Sequence, residues 1–198
     1  IDAVIHLSGA SIGDKRWTNL YKKEILASRV LSTSLLARTV AALNRKPAVF
    51  LSGSAIGIYG DRDDESLDET NTLGQGFLAD VCRQWESAAN PATGAGIRTV
   101  FLRTGIVLTP KGGALKKQLP LFRFGLGGKF GPGTQWQSWI TLDDEVRAIE
   151  FLLTAPASGA VNLTAPNPVT NSDFTSILAR VMHRPALLPI PSIVPKLL

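Results

Sequence analysis

The sequence predicts an α/β fold built on a doubly wound parallel sheet, followed in the chain by a smaller unit. Three observations carry that prediction. First, short apolar runs alternate with long helical patterns over the first hundred or so residues, the order strand, helix, strand, helix, strand. Second, the strand-like runs break at their carboxyl ends into small or hydroxyl residues: Ser8-Gly9, then Ser52-Gly53-Ser54, then Thr104-Gly105. In a parallel sheet these ends share one edge, which is where open α/β sheets place their ligands. Third, the character changes at Pro110, beyond which glycine and proline interrupt the chain repeatedly as far as Gly133.

Taken in order, Ala3 to Leu7 reads as a buried strand, and Thr18 as the N-cap of a long helix running to about Leu43. Along that helix Leu20, Ile25, Val30, Leu31, Leu35 and Val40 are broadly periodic. Within PAVFLSGSAIGIYG, from Pro47 to Gly60, a short run centred on Val49 and Phe50 reads as a fully buried parallel strand. A polar, acidic loop from Gly60 to Gly74 leads into a helix whose inner face carries Phe77, Leu78, Val81, Cys82, Trp85, Ala88 and Ala89. Thr99 to Leu102 is the third strand. Residues 111–140 read as loop and short strand without a core helix, Asp143 to Leu153 as a returning amphipathic helix, and Val161 to Leu163 as a further strand. Asn171 opens a last helix reaching about His183. The expected organisation is a sheet core from 1–110 and 141–165, with a substrate-covering subdomain from 111–140 and 166–198.

Composition narrows the function classes. At 198 residues, 44% hydrophobic and 19% charged, the chain can bury a sizeable core. A single cysteine excludes a disulfide framework and a cysteine-rich zinc site, and two distant histidines, His6 and His183, leave little for metal chemistry. A reducing, cytoplasmic setting is expected, with no metal. The net charge of +5 combines a basic cluster (Lys111, Lys116, Lys117, Arg123, Lys129) with an acidic run from Asp61 to Glu69, a pattern of solvated surface, and no aromatic-flanked RNA motif accompanies it. No stretch approaches the roughly 18 apolar residues of a membrane span, and no signal peptide is read. Neither nucleic acid nor membrane is an expected partner. Both ends, Ile1 and Leu198, read as cut.

At the strand ends the chemistry is that of hydroxyls and backbone. Ser52 and Ser54 can offer hydroxyls, and Gly53 lets a ligand approach the main chain. Other motifs fail on context. Gly125, Gly128 and Gly131 stand at the spacing of a dinucleotide-phosphate loop, but Arg123 precedes them where a buried strand should, and Pro132 follows. Neither serine has the flanking glycines of a hydrolase nucleophile elbow. His6, inside an apolar strand, reads as a core histidine.

HLSG after the first strand, SGSAIGIYG after the second, LRTGIVL after the third, then LGGKFGPGTQWQSWITLDDEVRAI and VNLTAPNPVTNSDF, with DKRW at Asp14 to Trp17, together resemble the extended short-chain dehydrogenase/reductase superfamily. Within it the chain is similar to the atypical branch of NAD-dependent, nucleoside-diphosphate-sugar epimerase-like proteins, over nearly all its length. The resemblance implies a Rossmann-like sheet binding NAD or NADP, NADP being slightly favoured, a small carboxy-terminal substrate domain, and a small-molecule substrate; a homodimer is compatible with it. It also implies a first βαβ unit with the phosphate loop upstream of Ile1, so that these residues alone should bind NAD(P) poorly.

Carried over by motif, Leu7, Ser8 and Gly9 fall on the adenosine and ribose side of the cofactor. Ser52, Gly53 and Ser54 fall beside the nicotinamide, with Ser54 in the place of the residue that hydrogen-bonds the substrate oxygen. Thr104, Gly105 and Ile106 fall at the nicotinamide amide, and Trp17, Gln137 and Trp139 on the substrate. The departures are specific. The family's tyrosine, four residues before a lysine, supplies acid/base chemistry. Here the tyrosine place is Phe77 or Leu78 and the lysine place Val81 or Cys82, the supporting asparagine is replaced by Arg29, and the arginine that grips a diphosphate is Gln137. Tyr59 is the substitute acid that sequence offers, the other role open to it being to pack against or line the pocket. Two functions follow: an NAD(P)-dependent epimerase or oxidoreductase acting on a sugar nucleotide or other secondary alcohol, or a non-catalytic NAD(P)-binding protein with a structural or redox-sensing role.

Overall fold

The structure, a computed structural model, describes residues 1–186. The part of the expected subdomain at 187–198 lies outside the described residues. The chain divides into two compact units, one formed by Ile1–Thr104 with Asp144–Leu163, the other by Gly105–Asp143 with the residues from Thr164 onward.

The first unit is a four-stranded, wholly parallel sheet. Its strands are β1 (Ala3–His6), β2 (Val49–Ala55), β3 (Arg98–Thr104) and β7 (Gly159–Leu163), in that spatial order. The register sets His6 beside Ser52, Ser54 beside Arg103, Ala55 beside Thr104, and Thr104 beside Leu163. The strand ends therefore gather along one edge, as their sequence pattern requires. β2 is buried along its whole length except at Ala55, which explains its unbroken apolar start.

Helix α1 (Asn19–Ala41) begins where Thr18 accepts the Tyr21 N–H at 3.1 Å, a serviceable N-cap. Its apolar positions split. Ile25 and Val40 are buried, whereas Leu20, Leu31 and Leu35 are 79%, 68% and 62% exposed, so the helix carries two apolar stripes where the periodicity suggests one. Ala37 and Val40 pack with Phe50, Ala89, Ala92 and Ile97 in one core cluster. Helix α2 (Phe77–Ser87) buries Ala79, Val81, Cys82 and Trp85. A short α3 (Asn90–Gly94) follows it, and α5 (Leu142–Thr154) returns the chain to β7.

In the second unit, β4 (Ile106–Leu108) pairs parallel with β6 (Trp139–Thr141), and β5 (Trp136–Gln137) pairs antiparallel with β8 (Val169–Thr170). The unit also holds α6 (Asn171–Met182), capped by Thr170, and α4 (Gly113–Arg123). Helix α4 corrects the expectation of loop over 111–140. Glycine lies at its start, and Pro120 sits in its last turn, so neither breaks the body of the helix. Among the described residues no helix is long and apolar enough to cross a membrane.

Candidate functional site

The carboxyl edge of the first unit's sheet carries a connected set of buried polar groups. Ser54, at the end of β2, donates its hydroxyl to Glu86 Oε1 at 2.7 Å. Arg103, at the end of β3, grips the same carboxylate in bidentate fashion, Nε to Oε1 at 2.9 Å and Nη2 to Oε2 at 3.0 Å. Its Nη1 donates at 2.9 Å to the phenol oxygen of Tyr59, which in turn donates to Asn162 Oδ1 at 2.8 Å. The Asn162 N–H then reaches Glu69 Oε1 at 2.6 Å, tying the acidic loop to β7. Ser54, Tyr59 and Arg103 are each about 5% exposed or less. Burial by itself would lower the affinity of Arg103 for its proton, but hydrogen bonds to Glu86 and Tyr59 outweigh it and hold the guanidinium charged.

This network changes the roles that Ser54 and Tyr59 can take. A hydroxyl has one proton. Ser54 spends its proton on Glu86 and keeps only lone pairs to offer, so as it stands it cannot donate to a substrate oxygen. Tyr59 likewise gives its proton to Asn162 while Arg103 occupies its oxygen, and it packs with Ile58 and Cys82 in a buried cluster.

The glycines are explained by packing. A Cβ on Gly53 would stand 2.7 Å from Trp85 Cζ2 and 3.3 Å from the His6 carbonyl oxygen. One on Gly9 would meet the Arg29 guanidinium carbon at 2.9 Å, and one on Gly105 the Ser138 carbonyl oxygen at 2.7 Å. On the side where a side chain would project, each glycine is therefore approached by protein. Trp85 is itself held, its indole N–H donating to Thr33 Oγ1 at 2.9 Å with Arg29 over its face. Arg29, where the family resemblance implies asparagine, also donates to the Ala10 carbonyl at 3.0 Å and so fixes the loop after β1.

Of the remaining expected residues, Leu7, Ser8 and Gly9 are exposed on that loop, whereas Ser52 is fully buried, its hydroxyl finding only the Gly53 carbonyl at 3.4 Å. His6 is the core histidine the pattern suggests, 4% exposed with Nε2 3.2 Å from Ser32 Oγ, and burial lowers its pKa. Trp17 stacks edge-on against Phe77, with the Lys22 ammonium over the Phe77 ring. Gln137, Trp139 and Ile106 come together around one cavity in the second unit. Cys82, at one of the two candidate lysine places, is a buried thiol pushed up to about 11, first by burial and then by the Glu86 charge. Among the described residues no cluster could hold a metal ion.

Sequence reasoning missed Arg103 and Asn162 in this network, and two carboxylates besides. Glu86 lies nine residues beyond Phe77 on α2, and the available signal was an acidic residue on the helix face that carries Cys82. Glu145 is 7% exposed; the Thr104 hydroxyl lies 2.8 Å from its Oε1, and its Oε2 is buried without a partner. Desolvation raises its pKa, against the Thr104 hydrogen bond.

Residues 1–164 match the model of the NAD dependent epimerase/dehydratase family. The chain belongs to this family. An epimerase family protein of Mycobacterium bovis is 44% identical over 194 residues, covering 98% of this chain and 64% of the relative. The crystal structure of human epimerase family protein SDR39U1 with NADPH superposes with a TM-score of 0.94 at 32% identity, over 98% of this chain and 67% of that one. A UDP-glucuronic acid 4-epimerase from Bacillus cereus, solved with UDP-glucuronic acid and NAD, gives a TM-score of 0.80 at 18% identity over 96% of this chain and 62% of that one, a likeness of fold. The chain thus spans a little under two thirds of the length of the mycobacterial relative.

Proposed function

We propose that the protein binds a nicotinamide dinucleotide, NADP in preference to NAD, along the carboxyl edge of its parallel sheet, and uses it on a secondary alcohol or the matching carbonyl compound. The observation that carries this reading is the register, which brings the ends of β1, β2 and β3 to one edge with Ser54 and Thr104 on adjacent strands. The NADPH in the human relative supports the choice of cofactor. The exposed Leu7–Gly9 loop, fixed from behind by Arg29, fits the adenosine and ribose side, and the Thr104 hydroxyl fits the carboxamide. When bound, the dinucleotide supplies hydride transfer. The chain's own part is to position the cofactor, with Ser54 accepting, not donating, a hydrogen bond. The reading carries with it a cytoplasmic setting and is compatible with a homodimer.

A second reading, cofactor binding without turnover, is favoured by one observation: the protons of Ser54 and Tyr59 are both already committed to protein acceptors. The natural protein, purified without added cofactor and examined by native mass spectrometry, should carry an adduct of the mass of NADP(H). No adduct, together with no change in NADPH fluorescence on titration, would refute both readings. An adduct with no turnover of secondary alcohols or ketones would select the second.

A further inference from the structure

The second unit contains a cavity of about 50 Å³ between β4, β5, β6, α4 and α6. Its walls are chemically uniform in one respect: none of the lining side chains is charged. Ile106 and Leu108 supply aliphatic surface, Trp139 and Phe174 aromatic surface, and Gln118 and Gln137 two primary carboxamides. The Trp139 indole N–H is taken by the Asn167 carbonyl at 3.1 Å, so it closes the wall instead of offering a donor. The two glutamines are half-buried, and among the described residues neither carboxamide makes a hydrogen bond through its side chain. Both glutamines remain partly exposed and neither carboxamide is among the buried polar groups without a partner, so the amides are open to a ligand in an otherwise apolar hollow.

We propose that this cavity binds the uncharged polar end of a small substrate, a ketone or secondary alcohol carrying an alkyl or aromatic group, and is not built for the diphosphate of a sugar nucleotide. The inference rests on the reading that the second unit takes the substrate. Carboxamides suit such a group because each offers two donors and an acceptor, and so can bond either a carbonyl or a hydroxyl oxygen. The aliphatic and aromatic walls suit its apolar neighbour atoms. A diphosphate needs fixed cations or converging backbone N–H groups to repay the loss of its hydration, and a neutral carboxamide supplies no counter-charge. The volume agrees: a water's share of the liquid is about 30 Å³, so the hollow admits a group of two or three heavy atoms, and the rest of the ligand extends outside.

The test uses the natural protein labelled with ¹⁵N, following the side-chain amide signals of Gln118 and Gln137 and the indole signal of Trp139. The probes are 4-phenylbutan-2-one and UDP-glucose, each titrated without cofactor. The ketone should produce saturable shifts of these signals, and UDP-glucose none. Gln137→Ala should weaken ketone binding by about five- to tenfold, the loss of one neutral hydrogen bond. Gln137→Arg should weaken the ketone while introducing saturable UDP-glucose shifts. Shifts caused by UDP-glucose in the unaltered chain, or an absence of shifts with the ketone, would overturn the proposal. The readout involves no cofactor, so its failure is distinct from failure of the NADPH measurement.

Discussion

Removing the carboxylate of Glu86 should be among the most destabilising single changes in the first unit. Glu86→Ala deletes three hydrogen bonds at once, two from Arg103 and one from Ser54. It leaves the Arg103 guanidinium, with 7% of its side chain exposed, facing no counter-charge. Because so little of either side chain meets water, solvent screening discounts the effect only slightly. Breaking a buried ion pair from one side costs about 3–5 kcal/mol, a large share of the roughly 5–15 kcal/mol that holds a typical domain. Glu86→Gln preserves shape but turns an amide N–H₂ toward a guanidinium donor, and should cost about 2–3 kcal/mol. The pair Glu86→Leu with Arg103→Met removes both charges and should return to within about 2 kcal/mol of the parent, the residue being the unpaired Ser54 hydroxyl and Tyr59 oxygen. Urea denaturation followed by tryptophan fluorescence and far-UV circular dichroism reads these proteins, and the single variants Glu86→Leu and Arg103→Met complete the double-mutant cycle that isolates the coupling. If Glu86→Ala lies within about 1 kcal/mol of the parent at an unchanged m-value, the carboxylate is not what neutralises Arg103. If the paired variant is as unstable as the single one, shape and not charge holds this edge together.

Two further outcomes follow from the same region. Gly53→Ala should lose about 1–3 kcal/mol by overpacking, because the new methyl meets the Trp85 ring and the His6 carbonyl, and Trp85 is pinned by Thr33 and Arg29; a thermal midpoint equal to that of the parent would contradict this. Glu145→Gln should flatten the pH dependence of stability. The folded state holds the Glu145 proton more tightly than the unfolded chain does, so stability is fully present below the ordinary glutamate value of about 4.3 and is lost as pH rises from there through the raised folded value. Melting curves from pH 4 to 8 should converge with the parent at the acid end and favour the variant at the alkaline end, and parallel curves would refute the assignment.

Much of the sheet was legible because its information is local. The apolar run at Val49 to Leu51 and the small residues that end each strand depend only on neighbouring positions, and so does the Thr18 cap. Helix α4 was obscured because glycine and proline mark turns in general, while their effect depends on which turn of a helix they occupy. The split of α1 into buried Ile25 and exposed Leu31 was equally hidden, since periodicity tells where a face lies but not what covers it.

The sequence by itself determined the class of fold, the family resemblance, and the absence of a tyrosine–lysine pair at Phe77 to Cys82. Only the tertiary structure decided what Ser54 and Tyr59 can do. Their proton acceptors, Glu86 and Asn162, stand far away in the chain, and a hydroxyl's single proton goes to whichever acceptor the fold brings within reach. The same holds for Gly53, whose missing side chain makes room for Trp85 from another element. Residue type limits what a side chain can donate or accept, and long-range packing selects the partner.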